Sequence, residues 1–267
     1  MKPKDGFDAT MARVDHLLNL YDILHNTRTR QIRSDWAPKF LDLMHWPKGE
    51  AIVRVDGKDK NSLLILRPPL QLDHTRFSHD YLSELLRSAD VATVSALDRY
   101  VHDLVLHHSW SLLSRSEKAI PSELKKLSLP ILATKNALEK LRGDPKARPG
   151  HLVKAALQTH LHRDHTFQRP ADVAKAAQML GVKDFWSKVA QQMPGSPDKE
   201  KVIKILNTIA NRRNQIVHEA DMVRKTRAKK ITLREIARST AQEWCDWSRS
   251  LVETIDKVVD VSVSTTP

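Results

Sequence analysis

The apolar residues after residue 77 recur at the spacing of amphipathic helices, and this pattern constrains the fold more than any other feature. The clearest case is segment 201–221, KVIKILNTIANRRNQIVHEAD. At about 100° per residue its apolar residues fall on one arc of a helix. They are Val202, Leu206, Ile209, Ala210, Val217 and Ala220. The chain has only 7 glycines, which disfavours Gly-rich nucleotide-binding loops and a turn-dense β fold. The sequence therefore predicts a mostly α-helical protein.

Two sets of polar residues interrupt the apolar pattern of this helix. Arg213 falls in the middle of the apolar arc, where a guanidinium needs an acidic partner or a site that uses its charge. A polar stripe follows the spacing i, i+4, i+7 and i+11, which lines residues up on one helix face. The stripe consists of Asn207, Asn211, Asn214 and His218. Either Arg213 extends from the core edge to an acid and the stripe is solvated, or Arg213, Asn214 and His218 form a reaction site.

The second alternative has a chemical basis. Histidine both accepts and donates a proton near neutral pH, and arginine is permanently cationic and suits phosphate oxygens. Together they suit phosphodiester chemistry without a metal. On an ideal helix Arg213 and His218 lie about 140° apart, so two copies of the helix paired across a two-fold axis would frame one cleft more easily than a single copy. A local distortion of the helix, or the length of the arginine side chain, would do the same within one chain.

The segment 213–218, RNQIVH, resembles the R-x4–6-H motif of the HEPN superfamily, in which a polar residue directly follows the arginine. The local form RRNQIVHE is similar to the RiboL-PSP-HEPN subgroup. Two upstream segments also resemble that subgroup, namely SALDRYVHDLV at 95–105 and TFQRPADVAKAAQMLGVKDFW at 166–186. The resemblance covers about residues 89–259, and it implies a HEPN-like helical bundle.

The resemblance also implies a function. It implies a metal-independent endoribonuclease that uses no cofactor, works as a homodimer and often belongs to a toxin or anti-phage system. His218 would act as general base or acid, Arg213 would stabilise the charge that develops on the phosphate, and Asn214 would orient the phosphate or the imidazole. The alternative is a non-catalytic HEPN-like module that binds RNA or a partner protein, such as an antitoxin or a defence complex.

The charge of the chain favours RNA as the partner. The net charge is +12 and the pI is about 9.8, and such proteins most often bind nucleic acid. A basic run directly follows the motif helix, beside the candidate phosphodiester site. The helical wheel places Arg212 on the solvent side, near Gln215 and Glu219. The residues expected to bind RNA are Arg212, Asn211, Asn207, Arg224, Lys225, Arg227, Lys229 and Lys230.

A histidine-rich segment gives a third alternative, a metal hydrolase. The string His160, His162, Asp164 and His165 matches H-x-H-x-D-H of the metallo-β-lactamase superfamily. Those sites need ligands that converge from a loop after a strand, whereas this string follows 151–157, which has a helical pattern. The chain is also poor in strands and glycines. We therefore expect no metal, although His162 and His165 would share a helix face at i, i+3.

The sequence divides into three predicted parts. Residues 1–76 form an accessory region, 77–260 the HEPN-like helical domain, and 261–267 a flexible tail. In the accessory region we expect a helix over 8–33, a second helix over 36–44, and a short β-hairpin from 51–55 and 62–66. Further along, Pro130 should kink or split a helix over 123–141, GDPKARPG at 143–150 should be a loop, and a capping box at 232–235 should open a last helix that ends near Val259.

The chain has the features expected of a cytoplasmic protein. It has no run of 18 apolar residues, so we expect no membrane-spanning helix. Its first residues, MKPKDGFDATMARVD, are too polar for a secretory signal. The single cysteine, Cys245, cannot form an intrachain disulfide and lies among apolar residues, where it is expected to pack.

Overall fold

The computed structural model describes residues 2–25, 28–48, 52–56, 63–66, 77–128, 130–143, 150–223 and 232–265. Helices dominate this part of the chain, which confirms the predicted mostly α fold. In chain order the elements are α1 Pro3–Leu24, β1 Arg28–Gln31, α2 Ala37–Leu43, β2 Val53–Asp56, β3 Leu63–Leu66, α3 His79–Leu113, α4 Ser122–Lys125, α5 Ile131–Gly143, α6 Gly150–Asp164, α7 Pro170–Met179, α8 Phe185–Gln192, α9 Lys199–Glu219 and α10 Arg238–Thr265.

The chain divides into two compact units. The larger unit consists of Met1–Ala12, Asp90–Arg234 and Glu243–Pro267, and the smaller unit of Arg13–Ala89 and Glu235–Gln242. The boundary predicted between residues 76 and 77 stays a prediction.

The core of the larger unit is built around Tyr100 in α3. Its ring is fully buried and meets Phe7 edge to face, with ring centroids 6.1 Å apart. Its hydroxyl donates to Asp256 Oδ1 at 3.0 Å, so that the buried phenol has a partner. Cys245 of α10 also lies in this core. It is fully buried, and burial raises the pKa of its thiol to about 11. The prediction that this cysteine packs in the core is confirmed.

In the smaller unit, α1 buries Val14, Leu18 and Tyr21, and α3 buries Leu82 and Leu86. The Tyr21 hydroxyl and His79 Nδ1 share a hydrogen bond of 2.8 Å. The same unit contains a three-stranded antiparallel sheet in the order β1-β2-β3. Strands β2 and β3 fall in the two segments of the predicted hairpin, with Val53 opposite Leu66. The hairpin itself stays a prediction, because residues 57–62 lie outside the described part.

The first helix differs from the prediction at both ends. It begins at Pro3 rather than residue 8, because the Asp5 carboxylate accepts the backbone N–H of Lys2 at 2.7 Å and so caps an earlier turn. It ends at Leu24 rather than residue 33. Residues 28–31 instead pair with β2, which satisfies their backbone groups as a strand.

Several boundaries further along could be tested. Pro130 separates α4 from α5, as predicted. Residues 144–149 of the predicted loop lie outside the described part. The capping box at 232–235 was wrong: the Thr232 carbonyl accepts the N–H of Val223 at 2.8 Å, and α10 begins only at Arg238. The last helix also continues through most of the expected tail to Thr265, because Val263 is buried and its carbonyl accepts Arg115 Nη2 at 2.8 Å.

None of the helices in the described part is both long enough and apolar enough to span a membrane.

Gly181, in the turn between α7 and α8, allows a test of how much a close contact adds to backbone strain. Gly181 has φ +76°, and a Cβ added there would lie 3.2 Å from Pro121 Cγ. Gly181→Ala should therefore lower the free energy of unfolding by about 1–2 kcal/mol. Gly195→Ala is the matched control, since Gly195 has φ +77° but open space around its Cβ position. Thermal unfolding should show a smaller loss for Gly195→Ala; equal losses would mean that the contact with Pro121 has no effect.

Candidate functional site

Helix α9 carries the predicted reaction residues, and its buried face decides how they are presented. Val202, Leu206, Ile209 and Ala210 are buried, as the periodicity predicted. The predicted arc does not continue, because Val217 is 44% exposed and Ala220 is also exposed. The helix thus leaves the core of its unit within its last two turns, and the R-x4-H segment lies on that emerging part.

Arg213 is half-buried at the point where the helix emerges. Its Nη1 donates to Asn214 Oδ1 at 3.2 Å. Its Nε is shielded from solvent and has no hydrogen-bond partner among the described residues. A buried donor without a partner is uncommon and costs free energy. The described part of the chain contains no carboxylate paired with Arg213, so the simple core-edge ion pair is not formed there.

The polar stripe of α9 lies at the protein surface. His218 and Asn211 are exposed, while Asn214 and Asn207 are half-buried. Asn214 and His218 are four residues apart, or about 40° on the helix, so they share one face. In the described part of the chain no side chain hydrogen-bonds the His218 imidazole. The structure thus places Arg213 in contact with Asn214 and leaves the imidazole accessible.

The predicted exposure of Arg212 is wrong. This residue was predicted to be solvent-exposed, but it is only 9% exposed. Its guanidinium forms a two-pronged ion pair with the carboxylate of Asp221, which is 1% exposed, and the Nη2–Oδ2 distance is 2.8 Å. The helical wheel failed because the partner comes from beyond the helix, where the chain folds back toward the preceding turns. Both groups are occupied by each other, so the predicted RNA contact of Arg212 loses its basis.

The turn after α9 is unusual. Ala220 has φ 49° and Asp221 has φ 55°, so two consecutive non-glycine residues are left-handed. The Gln215 carbonyl accepts the N–H groups of both. The Asp221 carbonyl in turn accepts the N–H of Arg234 at 2.8 Å. The turn was not predicted, because it contains no glycine, the residue that adopts the left-handed conformation most readily.

The basic run predicted to bind RNA begins just after this turn. Residues 224–231, which include Arg224, Lys225, Arg227, Lys229 and Lys230, lie outside the described residues. On either side of the run, Met222 and Leu233 form an isolated antiparallel β-bridge. Arg234 also reaches Glu219 at 3.5 Å. Sequence reasoning missed Asp221 and Arg234; the only available signal was an acid directly after the motif helix.

The histidine string does not form one cluster. It lies on α6 and just after it, as the helical pattern predicted. His160 Nδ1 contacts Asp164 Oδ2 at 2.6 Å, and the His162 ring stacks on buried His102 with centroids 4.5 Å apart. His165 instead stacks on Phe167. In the described part of the chain no three His, Cys, Asp or Glu side chains are grouped closely enough to hold a metal ion.

A family model described as RiboL-PSP-HEPN matches residues 58–260, more than two thirds of the chain. The match contains the whole of α9 and confirms the resemblance inferred from the motif. It begins within the predicted accessory region. Domains of the HEPN family are generally ribonucleases or RNA-binding domains. None of the curated proteins and none of the solved structures compared with the chain matches it.

The buried ion pair of Arg212 predicts a large effect on stability. Arg212→Ala should lower the free energy of unfolding by about 3–5 kcal/mol, because it removes the two-pronged cationic partner of the buried Asp221 carboxylate. Arg238→Ala is the matched control. It removes a two-pronged contact to Asp22 whose side chain is 49% exposed, and we expect a loss below about 1 kcal/mol. Urea unfolding of both variants would contradict this ranking if the two losses were equal.

The histidines near α6 predict a pH dependence of stability. Burial and the charges of His102 and Arg99 lower the pKa of His162, and burial and Lys175 lower the pKa of His165. The unfolded chain therefore takes up protons first as the pH falls below the ordinary histidine value of 6.5. The Tm should decline from pH 7 to pH 5.5, and the double variant His162→Gln/His165→Gln should decline less. An identical decline in the double variant would contradict this.

Proposed function

Because the chain belongs to the RiboL-PSP-HEPN family, we propose that it is an endoribonuclease that needs no metal ion and acts through Arg213, Asn214 and His218. The observation that carries this proposal is the state of Arg213. It is a half-buried guanidinium with a shielded Nε that has no partner among the described residues. The guanidinium has no carboxylate partner among the described residues, so its charge is available to a phosphate group.

The arrangement of the three residues suits the chemistry. Asn214 lies about 100° from Arg213 and about 40° from His218 on the helix, so it is between them. Its Oδ1 accepts Arg213 Nη1, which directs the guanidinium toward the face of His218. A phosphate bound by the guanidinium would then lie near an exposed imidazole.

We propose the following reaction. The 2′-oxygen of the RNA forms a bond to the adjacent phosphorus, and the bond from phosphorus to the 5′-oxygen breaks. The products carry a 2′,3′-cyclic phosphate and a 5′-hydroxyl. His218 either accepts the proton of the 2′-hydroxyl or donates a proton to the leaving 5′-oxygen, while Arg213 stabilises the negative charge on the phosphate. Asn214 keeps the guanidinium directed toward the phosphate.

A second proton-transfer group is needed, because one histidine cannot be base and acid in the same step. We propose that the enzyme is a homodimer in which His218 of the second subunit supplies it. Asn207, Asn211 and the basic residues of 224–230 would hold the RNA strand, in keeping with the net charge of +12. The proposed biological role, a toxin or anti-phage effector controlled by a partner such as an antitoxin, follows from the family resemblance.

The alternative function is an RNA- or protein-binding module without turnover. One observation favours it: no described side chain fixes the orientation of the His218 imidazole, and a binding surface does not need it fixed. The two functions differ in the products. A binding module would bind RNA through the basic run and would produce no cyclic phosphate ends.

The first test is cleavage of total RNA by the purified protein in EDTA, with the product ends mapped. We expect cyclic phosphate ends from the wild-type protein. His218→Ala and Arg213→Ala should each lower cleavage by at least about a hundredfold, since each removes one catalytic element, and both should keep the helical circular dichroism signal.

The controls separate the site from general surface charge. His16→Ala removes another exposed histidine, and Lys201→Ala removes an exposed cation from another face of α9; both should retain full cleavage. Retained cleavage in His218→Ala and Arg213→Ala would refute the proposed site. RNA binding without cleavage in wild type would favour the module.

A further inference from the structure

A buried ion pair joins α9 to the chain that follows it. Arg212 and Asp221 are nine residues apart, yet they meet through two parallel contacts and are both almost inaccessible to solvent. We propose that Arg212 and Asp221 are positioning residues, whose ion pair fixes the last turn of α9 and thereby the His218 imidazole for RNA cleavage. This inference rests on the function proposed above.

The first reason is the position of His218. It is the last residue but one of α9, which ends at Glu219. Carbonyl groups in the last turn of a helix have no partner within the helix, so this turn opens most easily. A catalytic imidazole in such a turn would move whenever the helix frays. Misplacement by about 1 Å can cost a hundredfold in rate, so the enzyme needs an anchor at this end.

The second reason is the strained turn that brings Asp221 back to Arg212. Ala220 and Asp221 are both left-handed, and non-glycine residues keep this strained conformation only where their surroundings hold them. Here the backbone is held by the carbonyl of Gln215 and the N–H of Arg234, and the side chain of Asp221 by Arg212. Strain kept in place by this many contacts clusters at functional sites.

The third reason is that stability alone does not explain the pair. A buried ion pair is often no more stable than apolar residues of the same volume. What the two-pronged contact provides is direction, because two parallel hydrogen bonds fix the carboxylate relative to the guanidinium. The pair thus sets the path of the chain directly after His218.

The test uses Arg212→Gln, Asp221→Asn and the double variant, which remove the charges but keep polar side chains. Three quantities are measured: the single-turnover rate of RNA cleavage in EDTA at saturating RNA, the Kd for a 2′-deoxy RNA that cannot be cleaved, and amide hydrogen exchange over 216–222. We expect each single variant to lose about ten- to a hundredfold in rate with a Kd within about twofold of wild type. The amides over 216–222 should exchange faster. The double variant should lose no more than either single variant, because the residues act as a pair.

Two further variants separate positioning from stability. Leu206→Ala opens the buried core of α9 far from its C-terminal turn; it should destabilise the protein but keep the rate of the folded enzyme. Ala220→Gly relieves the left-handed strain. In the Asp221→Asn background it should raise the Tm without restoring the rate.

The outcomes are distinct. A slow rate with an unchanged Kd and faster local exchange supports the inference. A wild-type rate in folded Asp221→Asn, or a rate restored by Ala220→Gly together with the Tm, overturns it and leaves the proposed ribonuclease intact. Absence of cleavage by the wild-type protein refutes the proposed function, and the positioning role with it.

Discussion

The buried apolar face of α9 ends near Ala210, and this end point determines how the residues of the candidate site are held. Up to that point the helix is fixed by apolar side chains in contact with α7 and α8 of the same unit. Beyond it, Val217 is exposed and apolar packing no longer holds the helix. The last two turns must be held by polar contacts, and these are what the structure provides. A functional segment held this way is accessible to a ligand, which a segment packed in the core would not be.

The sequence predicted those features that neighbouring residues of one helix determine. The period of the apolar residues predicts the buried face of α9 correctly as far as Ala210, because side-chain direction on a helix depends on position. The same rule placed Arg213 in the middle of the apolar arc, whereas the residue is only half-buried, because the arc does not continue to the end of the helix. The family motif was also recognisable, since it consists of neighbouring residues on one helix. Asn214 could be assigned as the contact of Arg213 only with coordinates, because rotamers are not fixed by spacing.

The predictions failed where a distant segment supplied the partner. Arg212 has the wheel position of a surface residue, and only the return of the chain through Ala220 and Asp221 buries it. The capping box at 232–235 matched its pattern, yet Thr232 pairs with Val223 and the helix starts later. The first helix shows the same limit, because residues 28–31 have a strand beside them to pair with. In each case tertiary contacts outweighed a local preference of about 1 kcal/mol.

The contact between Arg213 and Asn214 changes the geometric problem posed by the motif. Arg213 and His218 are about 140° apart on a regular helix, which from the sequence favoured two subunits around one cleft. Asn214 lies between them on the wheel and draws the guanidinium toward the His218 face. In the proposed site, the arginine and the histidine of one chain would therefore reach a common phosphate more easily than the wheel alone indicates. The reason to propose a second subunit is then chemical rather than geometric. In the proposed reaction, transfer of one proton from the 2′-hydroxyl and another to the 5′-oxygen takes two groups, and α9 of one chain carries a single histidine, so the proposed second subunit would supply the other.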